Sequence, residues 1–435
     1  MKELHELFRI AARLVNDLGE ELNYGNMGLD GVEQRVLEFV NQVGQQMVQQ
    51  VAEQISEPVV ENNLWVGDQR AQFNKVSNLR LITRFGGELV ISRRYYSKEG
   101  GGGYCPVDEK LGVKECVGFT PLMSYLLCLY GGCESYEAGA HKLSETLGFG
   151  VSSTGVQRNT EKVGARIDSS PYERIGDEKQ GESCETMVVE IDGTMSPQIR
   201  EQEGITGRES LKQLTEYKEC NVVVIEKHNS GEALQRWTGA CYGPREGFEE
   251  YVRKAGLKMG QLKAERVAFL GDGAHSNWEI QKTNFPGAIA ILDFYHATEH
   301  LSDFCEYTKG VQEKKLAYDR WTTMLIKGEY LQVLEEMRGA LDTAVNRERA
   351  QKELNYFLNN KNRIDYAMYR EAGLPIGSGL VEGSCKFVVG KRFKGSGMRW
   401  KKQDNASTLE VRLAIINNTL RDRFQPGPQK WRLVA

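Results

Sequence analysis

The chain has 435 residues, 40% apolar and 27% charged, with a net charge of −4. That length suits two to three domains with sizeable buried cores, and the acidic balance excludes a uniformly basic nucleic-acid binder, so any basic surface must be local. No apolar run is long enough to span a bilayer, and the acid-bearing amphipathic stretch Met1 to Phe8 is unlike a signal peptide, so a cytoplasmic protein with no membrane partner is expected.

Residues 1–70 read as a helical N-terminal region. Leu4, Leu7, Phe8 and Ala11 form one stripe, Val36, Leu37, Val40, Val43 and Val51 continue the apolar pattern, and Gly25 to Gly31 separates two helices. Residues 71–118 hold a β-hairpin, Leu79 to Phe85 and Glu88 to Tyr96 around Gly86-Gly87, and then a glycine-rich loop at 100–103. Residues 119–180 are helical, and Tyr136 to Leu147, the break Gly148-Phe149-Gly150 and Ser152 to Val163 have helix-turn-helix proportions. Ser152 or Ser153 is expected to cap the second helix, with Gln157 and Arg158 facing outward as DNA contacts. Nine cysteines without a C-x-x-C point to reduced thiols. Cys105, Cys116, Cys128 and Cys133 match no zinc ribbon or finger spacing, and buried free thiols are the favoured reading.

Residues 181–297 carry five strand candidates. Val188 to Asp192, Glu219 to Glu226 and Leu234 to Cys241 form a meander; a helix around Phe248, Tyr251 and Val252 follows, then Val267 to Asp272 and Ala288 to Asp293. Meander, helix, strand and further strand is the order of a ribonuclease H-like α/β domain with a mixed sheet. Residues 298–372 interrupt it as a polar helical insertion with Trp321, Leu325, Leu331, Leu334, Met337 and Leu341 as its apolar positions. Residues 373–435 then supply the last core helix and a basic tail.

Two apolar runs stop at a carboxylate followed by glycine, Asp192-Gly193 and Asp272-Gly273, and Glu382-Gly383 follows the insertion. Three carboxylates gathered at one sheet edge cannot all stay ionised without a cation. Two hard divalent ions, Mg²⁺ or Mn²⁺, satisfy that charge and form the apparatus for in-line attack on a phosphodiester.

These residues are similar to a known family. Glu190-Ile191-Asp192-Gly193-Thr194, Leu270-Gly271-Asp272-Gly273-Ala274, Asp293-Phe294-Tyr295-His296, Glu299-His300-Leu301 and the run Gly373 to Lys386, followed by Arg392, Lys394 and Gly397-Met398-Arg399-Trp400, resemble bacterial insertion-sequence DDE transposases of the ISKra type, themselves similar to Mutator-like transposases. The resemblance spans about residues 76–420 and implies Asp192, Asp272 and Glu382 as catalytic metal ligands. It further implies cleavage of DNA at element ends, strand transfer into target DNA, and a homodimer or larger assembly on DNA. Family members often carry paired cysteines after the hairpin; this chain has Ser97 to Gly103 there, with only Cys105 close by.

Around the triad, Asp293 and His296 either position the scissile phosphate or a flipped base, or bond to each other structurally. Glu190 shares a strand face with Asp192 and is expected to pair with a lysine. Lys386, Lys391, Arg392, Lys394, Arg399, Lys401 and Lys402, with Trp400 among them, read as a DNA-contacting run. The competing functions are a nuclease or resolvase of the same fold without strand transfer, a catalytically idle transposase-derived DNA-binding protein and, more remotely, a metal-free carboxylate-pair glycosidase.

Overall fold

A computed structural model describes residues 2–55, 57–113, 118–168, 181–200, 215–243, 245–308, 311–425 and 431–433. Cys116 and the side chains of Leu4, Leu7 and Phe8 lie outside what is described. The chain is mixed α/β with two five-stranded sheets, and it divides into two compact units, residues 1–163 with 419–435, and residues 164–418. No helix among the described residues is long and apolar enough to cross a membrane.

The first unit opens with two long helices, α1 (Lys2–Asn23) and α2 (Leu29–Glu53). Its sheet has the order β10-β1-β2-β3-β4, from β1 (Asn63–Val66), β2 (Gln69–Ile82), β3 (Glu88–Lys98), β4 (Gly103–Tyr104) and β10 (Trp431–Leu433). The hairpin is β2–β3, closed by a turn in which Thr83 N–H donates to the Gly87 carbonyl at 2.9 Å. Leu81, Leu89 and Ile91 alternate onto one face and pack with Val48 and Ala52 of α2, the period-two burial that a one-sided sheet requires. A short helix, α3 (Pro106–Lys110), follows. Then α4 (Pro121–Cys133), α5 (Tyr136–Leu147) and α6 (Ser153–Asp168) gather around Met123, Leu127, Leu143 and Val156. Ser135 caps α5 by accepting from Ala138 N–H at 3.2 Å, and Gly148 ends it with φ +73°. Ser152 accepts from Gly155 N–H at 3.0 Å at the start of α6, where a serine cap is expected. Although the sequence reads 373–435 as one piece, the chain from Thr419 onward joins this unit, and Leu433 pairs with Leu64.

The second unit is built on the sheet β7-β6-β5-β8-β9. Strands β5 (Cys184–Ile199), β6 (Thr215–Asn229) and β7 (Glu232–Tyr242) form an antiparallel meander, while β8 (Ala264–Gly271) and β9 (Ile289–Leu292) run parallel to β5. The runs Met187 to Ile191, Val222 to Ile225 and Ala268 to Leu270 are buried without alternation, because both faces of this sheet are covered. Helix α7 (Arg245–Met259) adds Phe248, Tyr251, Val252 and Ala255 to the core. Helix α8 (His275–Asn284) follows β8 and brings Trp278 against Phe269. After β9 come α9 (Phe294–Thr308), α10 (Val311–Ile326), α11 (Tyr330–Ala340), α12 (Arg347–Asn359) and α13 (Tyr366–Glu371). This helical group buries Trp321, Leu325, Leu334, Met337 and Leu341 in the same core as the sheet, but leaves Leu331 exposed. Helix α14 (Gly379–Ser384), a π-helical turn over Cys385–Gly390 and helix α15 (Lys402–Ile416) complete the unit.

Candidate functional site

Strand register builds the site. Parallel pairing of β5 with β8 ends at Glu190 opposite Leu270, and pairing of β8 with β9 ends at Gly271 opposite Leu292. Asp192 and Asp272 each lie two residues beyond the first of those pairs; Asp272 and Asp293 each lie one beyond the second. The three aspartates therefore occupy one row across adjacent strands spaced about 4.8 Å apart. The bond from Asp293 N–H to the Gly271 carbonyl, 2.9 Å, carries the ladder out to this row.

The sequence expectation that a strand stops at each aspartate holds for Asp272 and fails for Asp192. β5 continues to Ile199, still paired with β6. It ends its parallel partnership at Glu190 all the same, so Asp192 stands beside the mouth where β8 turns away.

Asp272 is held from both ends. Its Oδ1 accepts from Ala274 N–H at 2.9 Å and from Asn277 Nδ2 at 2.8 Å, and its carbonyl accepts from the Tyr356 hydroxyl at 2.8 Å. Gly273 takes φ +94°, and a Cβ there would lie 2.6 Å from the Tyr356 ring, so glycine permits both the turn and the close approach. Tyr356 in turn stacks on His300, with centroids 3.7 Å apart, and His300 Nδ1 meets Glu353 at 2.6 Å. Burial raises the Asp192 carboxyl above its ordinary range, and the negative charge of Asp272 adds to that. Its Oδ1 accepts from Gly193 N–H at 2.7 Å, and its Oδ2 faces the Cys385 thiol at 3.5 Å.

Two buried carboxylates tie the chain ahead of Glu382 to the sheet. Asp293 accepts from Ser378 N–H through one oxygen; through the other it accepts from His296 N–H at 2.7 Å and meets His296 Nδ1 at 3.0 Å. Burial alone would raise its pKa, but these bonds outweigh burial and hold it below the usual range. The reciprocal effect pushes His296 up to about 9, through its bond to Asp293 first and the charges of Asp293 and Asp272 after it. Glu190, 1% exposed, accepts from Val381 N–H at 2.9 Å, and burial raises it to about 7. The expected lysine partner of Glu190 is thus replaced by a backbone amide, because a fully desolvated acid in a sheet interior is more cheaply satisfied by a peptide group than by a second buried charge. Asp293 and His296 do bond to each other.

Glu382 sits on α14, half-exposed, with Lys386 Nζ 2.6 Å from its Oε1. Among the described residues no group of three His, Cys, Asp or Glu side chains is assembled for a metal ion as the side chains stand. The basic run divides. Lys391, Lys394, Lys401 and Lys402 are exposed, Lys394 Nζ reaches Thr194 Oγ1 at 2.6 Å, and Arg399 Nε reaches Thr215 Oγ1 at 2.9 Å. Arg392 and Trp400, expected on a DNA-facing surface, are instead 1% and 7% exposed, with the guanidinium 4.6 Å from the indole centroid. They are core, because an arginine stacked on tryptophan loses little on leaving water. In the first unit Arg158 is exposed, whereas Gln157 is half-buried and bonded to Glu161 at 2.8 Å. Cys105 and Cys128 are buried and Cys133 partly buried, and the Cys128 sulfur accepts from Asn159 Nδ2 at 3.2 Å.

Glu190, Ser378, Asn277, Tyr356 and Cys385 are the site residues that sequence reasoning missed in these roles. Only Glu190 left a signal, an acid inside an otherwise apolar strand.

The fold and site define a mixed α/β protein with a row of carboxylates at the end of the parallel part of its sheet. The chain belongs to the uncharacterised protein family UPF0236, whose profile matches residues 22–430. No curated protein matches it. Among solved structures it is similar to the Drosophila P element transposase strand transfer complex at 10% identity and a TM-score of 0.35, over 70% of this chain and 94% of that one, a likeness too distant to bear on function.

Proposed function

We propose that this protein is a DDE transposase of the ISKra type with a ribonuclease H-like catalytic domain, cutting DNA at insertion-sequence ends and transferring the strands into target DNA. The observation that carries the reading is the register that sets Asp192, Asp272 and Asp293 in one row, with the segment leading to Glu382 fastened over it by Glu190 and Asp293. The meander followed by two parallel strands supports the fold assignment.

The donors suit hard divalent cations. Asp192, Asp272 and Glu382 offer only carboxylate oxygens, and Asp192 is an acid whose ionised form is disfavoured by burial and by Asp272, the state a cation would reverse. Two Mg²⁺ or Mn²⁺ ions held there would supply an activated water or 3′-hydroxyl and stabilise the leaving oxygen. Asn277, the Ala274 amide and Tyr356 fix Asp272 in place, and Glu382 becomes available when Lys386 turns to another anion, which a DNA phosphate provides. His296, kept protonated by Asp293 and half-exposed beside Asp272, presents a cation toward a phosphate oxygen. Exposed Lys391, Lys394, Lys401 and Lys402 extend that positive surface for DNA in an otherwise acidic chain.

Mn²⁺ binding followed by electron paramagnetic resonance tests the donor set without requiring turnover. The wild-type chain should bind Mn²⁺ and release it to excess Mg²⁺, and Asp192→Asn and Asp272→Asn should each lose that binding. Undiminished binding by both variants would remove the basis for the proposal.

A further inference from the structure

We propose that Tyr295 is a stacking platform for an unpaired DNA base, so that the site takes a strand whose nucleotide beside the scissile phosphate has left the double helix. This rests on the transposase reading and adds to it the form of DNA that enters the site.

Tyr295 is the second residue of α9, two positions after Asp293, and it is 63% exposed. A single exposed aromatic is ordinary on a protein surface, so its placement decides the matter. The Cδ2–Cε2 side of the ring rests on the backbone of Gly377. A Cβ added to that glycine would fall 2.7 Å from Tyr295 Cε2 and 3.8 Å from Asp293 Oδ2, so ring and carboxylate stand no further apart than those two distances together. The glycine itself is held on both sides. Phe294 N–H donates to the Ile376 carbonyl at 2.8 Å, and Ser378 N–H donates to Asp293. Phe294 meets the tyrosine ring edge-on, with centroids 5.9 Å apart. The ring is thus braced beside the carboxylate row while most of its surface stays open.

Chemistry selects the occupant. In paired DNA each base face is covered by its neighbours, so an aromatic ring stacks only on a nucleotide that is extruded, frayed or single-stranded. A ring already fixed by backbone on one side gives up little freedom on stacking, which favours it as a platform. A nucleotide also brings a phosphate, and the residue after Tyr295 is His296, half-exposed and 3.0 Å from Asp293. The ring and a group able to meet a phosphate oxygen therefore come from consecutive positions of one helix. A bare aromatic ring suits any apolar partner. Ring, imidazole and carboxylate row side by side suit a nucleotide whose phosphate faces the row across cations.

Fluorescence anisotropy on the full chain reads this out, with an oligothymidylate of about 16 nucleotides and a paired duplex of the same length as probes. Ca²⁺ replaces Mg²⁺, because it takes the same oxygen ligands without the tight octahedral geometry. Tyr295→Ala should bind the single strand about 5- to 150-fold more weakly than the wild type, and Tyr295→Phe should stay within about twofold of it. Both variants should bind the duplex as the wild type does. A second experiment needs no variant: with 5-iodouracil in place of thymine, irradiation of the wild-type complex should give an adduct on Tyr295. Single-strand binding unchanged in Tyr295→Ala, an equal loss of single-strand and duplex binding, or adducts that spare Tyr295 would each overturn the proposal and leave the carboxylate assignment standing. A wild type that binds neither DNA overturns the transposase reading and this inference with it.

Discussion

Replacing Asp293 with asparagine keeps the size of the side chain and breaks what it does. The carboxylate accepts three hydrogen bonds, two from His296 and one from the buried Ser378 amide. In the variant the amide oxygen can keep the His296 side, but its NH₂ then faces the Ser378 N–H, donor against donor. Losing a bond to a charged acceptor costs about 1.5–3 kcal/mol, and an unsatisfied buried donor a further 1–3 kcal/mol, so a loss of about 3–5 kcal/mol is expected. For a unit of this size that lowers Tm by about 6–20 °C. The pH dependence has a defined sign. His296 is raised from 6.5 to about 9 by its bond to Asp293, so that share of the stability is fully present below 6.5 and is lost as pH rises through about 9. Thermal unfolding of both proteins from pH 6 to pH 10 should show a gap that is widest at pH 6 and narrows toward pH 10, with the His296 ring in the variant titrating nearer 6.5 by NMR. A gap under 1 °C at pH 7, or one that widens with pH, would refute the reasoning.

Glu190→Gln retains an acceptor for the Val381 amide and abolishes a titration. Burial raises Glu190 from 4.5 to about 7, so its contribution is present below 4.5 and lost as pH rises through 7; the wild type should lose up to about 3 kcal/mol more than the variant between those limits, measured by urea unfolding. Arg392→Ala should destabilise by about 2–3 kcal/mol, since the guanidinium is buried against Trp400, whereas Lys401→Ala and Lys402→Ala should stay within about 0.5 kcal/mol of the wild type. In DNA binding the order reverses: each lysine variant should reduce the slope of log K against log salt by about 1. Lys386→Ala frees Glu382 and should strengthen Mn²⁺ binding in the absence of DNA; weaker binding would contradict the view that the ion pair competes with the metal.

The strands of the second sheet were legible because a sheet covered on both faces needs unbroken apolar runs, and the hairpin because a sheet covered on one face alternates. The extension of β5 past Asp192 was not: Gly193, Thr194, Ser196 and Pro197 look like a turn, and only pairing with β6 as far as Thr215 keeps them extended. Strand β10 was hidden for a related reason, since three residues have no periodicity and their partner β1 lies far back in the chain. Asp192 and Asp272 were visible as acids closing apolar runs, but their shared row depends on register, which no local pattern encodes. Arg392 and Trp400 were misread because a charged run is taken as surface, and only packing shows which of its members turn inward. The Glu190 bond crosses from strand to helix over a long stretch of sequence, so its amide partner could not be read from neighbours.

The most direct test of the proposed activity is incubation of the protein with Mg²⁺ and DNA carrying the ends of the element that this proposal places around its gene, with the cut positions mapped for the wild type, Asp192→Asn and Asp272→Asn. The wild type should cut at the element boundary only when Mg²⁺ or Mn²⁺ is present, and both variants should bind the same DNA without cutting it. Cleavage by Asp192→Asn at the wild-type rate, or wild-type cleavage that persists in EDTA, would contradict the assignment of these carboxylates.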